Sequence, residues 1–431
     1  IGSNIVLGEN TYVGGKVTTD SRQLHNSYYE ENKSRGFTGG ISGGTVSAGY
    51  GKSRSTYDEK SVINARSTLV IGDGSVLNNG AEITATDFAH GNISVNNGDV
   101  VFGARKDTVD IHTTSKSSWI GVSASINSPI LDRINQTTDT ANQLRSGDIA
   151  GGLVNVVNIG TGVISGLASN QGNRQTNYNS DGSVSEEGVE DAQANNNFYA
   201  NIGVNVGFNT SESSSSTHME SAAVSTITGL KPDSTITYNN VKNMTYQGTQ
   251  AKNTTAVYNN VENIWKEAVE LNNSYHSEGS SFGISTGATI GYGHKVQTTG
   301  NGVSLSAGRS DSNTTETIYV NGNFQNVNEV HNNTKNMVLR GFNQEGGKVT
   351  GNIENLEVTS LQNKSTTTGS SSGISVGISA SGIPNSLNIS GTHTDGNRAY
   401  VDNQSTFIVG EGSSLTVGKA ANTGAVIGTE G

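Results

Sequence analysis

The chain has 431 residues, a formal net charge of −11, no cysteine and three prolines, with 32% hydrophobic residues, 15% charged residues and 56 glycines. The lack of cysteine excludes disulfides, thiolate zinc sites and thiol catalysis, and lysines and arginines scattered singly leave no basic stripe for a phosphate backbone, so nucleic acid is not an expected partner. Low hydrophobicity comes here with Gly, Asn, Ser and Thr instead of dense charge, and no linker divides the chain, so residues 1–431 read as one repetitive all-β body.

Residues 1–24 read as short strands separated by glycine, and SRGFTGGISGGTVSAGYG, Ser34 to Gly51, reads as an incomplete or capping hairpin. Residues 62–115 hold short apolar runs closed by turn signals, such as Leu69 to Ile71 before Gly72-Asp73-Gly74, and Ile93 and Val95 before Asn96-Asn97-Gly98. SSWIGVSASI, Ser117 to Ile126, then alternates apolar residues with Gly and Ser and is answered by FYANIGVNVGF, Phe198 to Phe208. That is a β-hairpin with one apolar face.

Inside this hairpin lies an insertion, Asn127 to Asn197. Ile130, Ile134, Ala141 and Leu144 stand near helical spacing, and Ile149 to Ala168 is a run without charge. Its length is about the 20 residues that a helix needs to span a bilayer. Gly162 and Gly166 form a small-xxx-small pair of the kind that packs such helices. The candidate membrane-interacting residues are therefore Ile149, Leu153, Val156, Val157, Ile159, Gly162, Val163, Ile164, Gly166 and Leu167. The competing reading is a helix packed on the body of the protein. An acidic group, Glu186, Glu187, Glu190 and Asp191, follows and reads as a solvated loop.

Residues 230–275 show a coil. Tyr238-Asn-Asn-Val241-Lys-Asn-Met244 recurs as Tyr258-Asn-Asn-Val261-Glu-Asn-Ile264, the pattern of one turn of a parallel β-solenoid with asparagines in register to stack as ladders. Phe324-Gln-Asn-Val327 and Ile353-Glu-Asn-Leu356 read as looser copies with a bulge between them. Two further hairpins are Ser280 to Asp311, and Ser370 to Gly382 with its return Asn385 to Asp395; plain coil resumes at Thr406. The spacing of the hairpins suggests one for roughly every four turns, about eighteen turns in all, and a rod about 85 Å long at ~4.8 Å per turn. The chain opens mid-pattern on IGSNIVLGEN and closes mid-pattern on GAVIGTEG, as a stretch of a longer protein does.

Chemistry is sparse. The eight histidines are dispersed without metal-ligand spacing and are expected at solvated or rung-face positions. Gly72-Asp73-Gly74 lacks the Lys-Ser/Thr of a phosphate loop, and no nucleophile elbow is present. Trp119 and Trp265 are the only tryptophans and are expected to pack, which leaves little platform for a sugar-cleaving groove. The expectation is a protein that is not an enzyme and holds no cofactor or metal.

Hairpins of the GISTG and SSSGISVGIS type, coil turns between them and a helical insertion in one hairpin resemble the haemagglutinin-repeat region of filamentous-haemagglutinin-like exoproteins. The closing VDNQSTFIVGEGSSLTVGKAANTGAVIGTEG resembles the segment of contact-dependent growth inhibition effectors that leads toward their pre-toxin part. The resemblance implies an elongated right-handed parallel β-helix with flanking antiparallel hairpins. It further implies export by two-partner secretion to the surface of a Gram-negative bacterium, and partners in the rest of a longer effector chain and in a target-cell outer membrane or cell-surface receptor. Apolar hairpin faces also suggest self-association.

Overall fold

The computed structural model describes residues 2–42, 45–127, 200–292 and 296–430. Among them every regular element is a β-strand, and the strands form three sheets. Two of these are parallel, with nine and thirteen strands, and together make a coil whose turns pass over three faces.

One turn shows why the sequence coils. Its strands are Gln250–Lys252 on face one, Thr255–Asn259 on face two and Asn263–Glu267 on face three. At the corners Gly248, Asn253 and Asn260 have φ of +60°, +52° and +55°, the left-handed region that glycine and asparagine enter most readily. Tyr258, Val261 and Ile264 point inward and are fully buried. Tyr238 lies opposite Tyr258 and Asn243 opposite Asn263, as the repeat requires.

The asparagines form the expected ladders. Asn239 donates to Asn96 at 2.9 Å, Asn259 to Asn239 at 2.9 Å and Asn332 to Asn259 at 2.8 Å. A second ladder passes from Asn355 to Asn336 (2.9 Å), to Asn263 (2.9 Å) and to Asn243 (3.0 Å). The rung after Tyr258, however, is His331 to Met337. Phe324, expected there, sits on face one opposite Ala251. Ile353 and Leu356 do form a rung, opposite Thr334 and Met337, and the expected bulge falls between His331 and Thr334. From this turn on, the strands Asn328–Arg340, Val349–Thr359 and Ser414–Thr423 run over faces two and three without a break.

The third sheet is antiparallel and has eight strands. It consists of four full hairpins: Arg22–Ser42 with Thr45–Ala65, Arg105–Asn127 with Ala200–Ala223, Val269–Tyr292 with Val296–Val320, and Asn363–Ile378 with Pro384–Tyr400. The stretch expected to be an incomplete or capping hairpin is thus a complete one. Each hairpin leaves the coil at the corner between face three and face one, and does so after every second turn. The nine strands of face one correspond to eight complete turns and the start of a ninth, or about 38 Å of axis at ~4.8 Å per turn. This corrects the expected eighteen turns and 85 Å. The hairpin arms are twice as long as their apolar alternation suggests, because their basal halves are mostly polar and charged, and they take up residues that a twenty-residue period assigns to coil.

The helix expected in Asn127 to Asn197 falls on residues outside those described, apart from Asn127 itself, which ends a strand. Asn336 is an inner member of the second amide ladder. Asn336→Ala is expected to cost about 1–2 kcal/mol, since it removes two hydrogen bonds and leaves neighbouring amides half-satisfied. Urea unfolding followed by circular dichroism measures this, with Asn388→Ala, on an exposed outer strand, as the silent control.

Candidate functional site

The outer half of the hairpin sheet carries the most unusual surface of the molecule. Residues directly opposite one another in an antiparallel pair share a face, so the register traces rows across all eight strands. One row reads Phe37, Tyr50, Ile120, Phe208, Ile284, Leu305, Val376 and Leu387. The next row toward the coil ends in Phe282, Ala307, Ile374 and Ile389, and the next toward the tips holds Ala48, Val122, Val206 and Val303. Many of these side chains are open to solvent; Phe37 is 88% exposed and Ile389 73%. A continuous apolar patch of this kind marks an interaction surface.

Charge borders the patch on its coil side. Arg35 and Lys52 lie in the Phe282 row, and Lys33, Arg54, Lys116 and Arg309 in the row beyond. Lys33 and Arg54 share Glu31 at 3.0 and 2.6 Å, and Lys116 meets Glu212 at 2.8 Å. These are exposed pairs of little energetic weight.

The opposite face of the same strands is made of Gly, Ser, Thr and Asn. Trp119 lies flat on it. A Cβ added to Gly121 would stand 1.9 Å from the indole and one added to Gly49 2.6 Å from it, so only glycine admits the ring at these two positions. Trp119 therefore packs, as expected. Trp265 does not: it points outward from face three and is 38% exposed.

The candidate residues Ile149, Leu153, Val156, Val157, Ile159, Gly162, Val163, Ile164, Gly166 and Leu167 all lie outside the described residues. The structure fixes where their segment attaches. Asn127 and Ala200 end the two arms of the second hairpin, so the insertion joins the sheet at the tip of its apolar half. Among the described residues no helix is long and apolar enough to cross a membrane, and no group of three or more His, Asp or Glu is placed to hold a metal ion.

The coil interior holds a polar cluster that sequence reading missed. Lys266 donates to Glu329 at 2.8 Å and to Gln344 at 2.6 Å, and Gln344 donates to Glu329 at 2.5 Å. Tyr258 donates to Glu329 at 3.1 Å and shares a hydrogen bond with Tyr246 at 2.8 Å. Lys266 also stands 4.7 Å from the ring centre of Phe324. All of these side chains are buried. Burial pushes the Glu329 carboxyl up, but the Lys266 ammonium and His331 outweigh it and hold that carboxyl far below its ordinary range. Burial raises the Tyr246 and Tyr258 hydroxyls well above their ordinary value.

Two histidines are interior, against the expectation of solvated or rung-face positions. His331 stacks on Tyr258 with ring centres 4.9 Å apart, which continues a column begun by Tyr238. His90 is bonded to Gly91 and Thr254 at 2.8 and 2.7 Å, and burial lowers its pKa. Inward positions on a strand recur with period two whatever the residue, so only the register with Tyr258 marks His331 as interior.

Comparison with known proteins adds one match. Residues 206–374 match the family described as hemagglutinin repeat. Proteins with this repeat are typically secreted or cell-surface proteins of Gram-negative bacteria, and the match supports a filamentous-haemagglutinin-like, adhesin-type filament. The matched stretch begins on the returning arm of the second hairpin and ends on the outgoing arm of the fourth. Neither a curated protein nor a solved structure matches the chain.

Lys266→Met leaves Glu329 charged and uncompensated in the interior and is expected to cost about 3–5 kcal/mol. Lys266→Met combined with Glu329→Gln is expected to cost less than the single change. Because the folded-state pKa of Glu329 is depressed, its contribution is complete above the ordinary carboxyl value of 4.5 and is lost as the pH falls below it. Thermal melts of wild type and Glu329→Gln between neutral and acid pH check this: the acid loss is expected to be smaller in the variant.

Proposed function

We propose that the protein is a non-enzymatic module of a secreted, right-handed β-solenoid filament that delivers a contact-dependent toxin, and that it engages a target-cell outer membrane through the outer half of the hairpin sheet. The observation that carries this is the apolar patch, continuous across eight strands and bordered by basic residues, with the uncharged run Ile149 to Ala168 joined to the chain at the same end. Each apolar arm, such as Phe282 to Ile290, is close to the roughly 9–11 residues of a strand that matches the hydrocarbon core. Arg35 and Lys52 sit where anionic headgroups would meet them, an attraction of about 1 kcal/mol for each cation near the surface. The Gly, Ser and Asn face would remain on the aqueous side, as the polar face of a membrane-embedded sheet does.

A second reading, adhesion to a receptor on a host or neighbouring cell without membrane insertion, rests on a different surface, the outward face of the coil around Trp265.

Flotation with outer-membrane vesicles measures the first reading. The full chain is expected to float with vesicles, Ile120→Ser with Phe208→Ser and Ile284→Ser to reduce binding at least about tenfold, or roughly 1.4 kcal/mol, and deletion of residues 128–199 to reduce it further. Equal and negligible binding by all three proteins would sink the membrane role.

A further inference from the structure

Face three has an outward groove beside Trp265, and an inference about its ligand deepens the second reading above, adhesion through the coil. In strands the outward side chains of successive turns fall into rows. Asn263, Asn336 and Asn355 make one row; Trp265, Val338 and Glu357 make the row beside it. The groove between and around them has a volume of about 730 Å³, with Lys419 at its end, within the roughly 300–1,000 Å³ common to small-molecule sites.

Its chemistry narrows the occupant. In the amide row Asn355 donates to Asn336, and Asn336 to Asn263, each at 2.9 Å. An asparagine amide has two N–H groups, so each keeps one donor for a ligand, and Asn355 Oδ1 at the end of the row accepts no hydrogen bond among the described residues. Beside these stands a single large aromatic face, Trp265, 38% exposed. Glu357 and Lys419 contribute one charge of each sign. A polyanion finds no cationic row here, and the chain's net charge of −11 repels one. An added peptide strand finds no free edge, because Asn263–Glu267 is paired on both sides, with Asn243–Gln247 and with Asn328–Arg340. An aromatic platform beside a line of amides suits a molecule whose flat faces are C–H and whose rim is hydroxyl, at once donor and acceptor.

We propose that this groove binds a neutral oligosaccharide lying along the coil axis, with one sugar ring stacked on Trp265 and the rim of that ring and its neighbours bonded to Asn263, Asn336 and Asn355. The amides recur at the inter-strand distance of ~4.8 Å, comparable with the length of one sugar unit in an extended glycan, so successive units meet successive rungs. The site lies on the coil and does not depend on the hairpin sheet touching a membrane.

The test is titration of the full chain with cellohexaose, maltohexaose and chitohexaose, read by intrinsic tryptophan fluorescence and by calorimetry. At least one of the three is expected to bind saturably and to change the fluorescence. Trp265→Thr copies the residue of the preceding rung, Thr245, and is expected to weaken that binding at least about tenfold, or roughly 1.4 kcal/mol, without moving the melting temperature. Trp119→Phe is expected to leave affinity unchanged. Asn355→Ala serves as an independent variant, expected to weaken binding as well. Saturable binding by none of the three sugars overturns the proposal. So does equal affinity in wild type, Trp265→Thr and Asn355→Ala, or salt-sensitive binding of a heparin hexasaccharide in place of the neutral sugars.

Discussion

Hydrogen-bonded strands lie about 4.8 Å apart whether they run parallel or antiparallel, and the architecture follows from that shared spacing. A turn of the coil advances by one strand. A hairpin adds two strands to its own sheet, so consecutive hairpins stay in register with the coil only if two turns separate them. One hairpin per turn would crowd the sheet, and one for every four turns would leave its edges unpaired. The chain obeys this at all four hairpins. Coil and sheet therefore grow along one axis at one rate, and an apolar residue placed at the same depth in each arm becomes a row across the molecule. The apolar patch exists because of that match: Phe37 and Leu387 lie 350 positions apart in sequence and belong to one row.

Inside the coil the same stacking makes columns, and these choose their neighbours. Tyr238, Tyr258 and His331 stack because their turns are aligned, and Lys266, Glu329 and Gln344 come from three different strands of the coil. A buried ion pair is weak as a source of net stability against an apolar filling of equal volume. It is demanding about register, since a shift by one residue would send each charge outward and leave its partner alone. Runs of similar Asn-rich turns would otherwise be nearly interchangeable, and this cluster distinguishes one turn from the next.

Much of this was legible in the sequence. Period-two alternation located the arms at Ser117, Ser280 and Ser370, and the repeat of Tyr-Asn-Asn-Val gave the turn length and the amide ladders. The frequency of the hairpins was not legible, because the basal halves of the arms are mostly polar and charged, with only scattered apolar residues such as Val109 and Ile111, and look like coil. His331 was missed because His-Asn-Asn-Thr keeps the asparagines of the repeat but exchanges both of its apolar residues. Trp265 was assigned to packing from its place in the Tyr258 turn, yet it follows Ile264, which points inward, so alternation alone would have turned it out. The segment with the largest apolar run, Ile149 to Ala168, offered length and composition but no partner rows, and the structure contributes only its point of attachment.

The alignment of every inter-strand hydrogen bond along one axis also sets how the rod yields to tension. A pull applied through the ends of the chain acts along those bonds and loads the outermost turn first, so turns peel off singly, and no step requires the shearing of many bonds together. Each hairpin interrupts this at every second turn, because its two long arms are zipped to neighbours that have not yet released. The molecule thus meets tension as a stack of two-turn units, each closed by a hairpin.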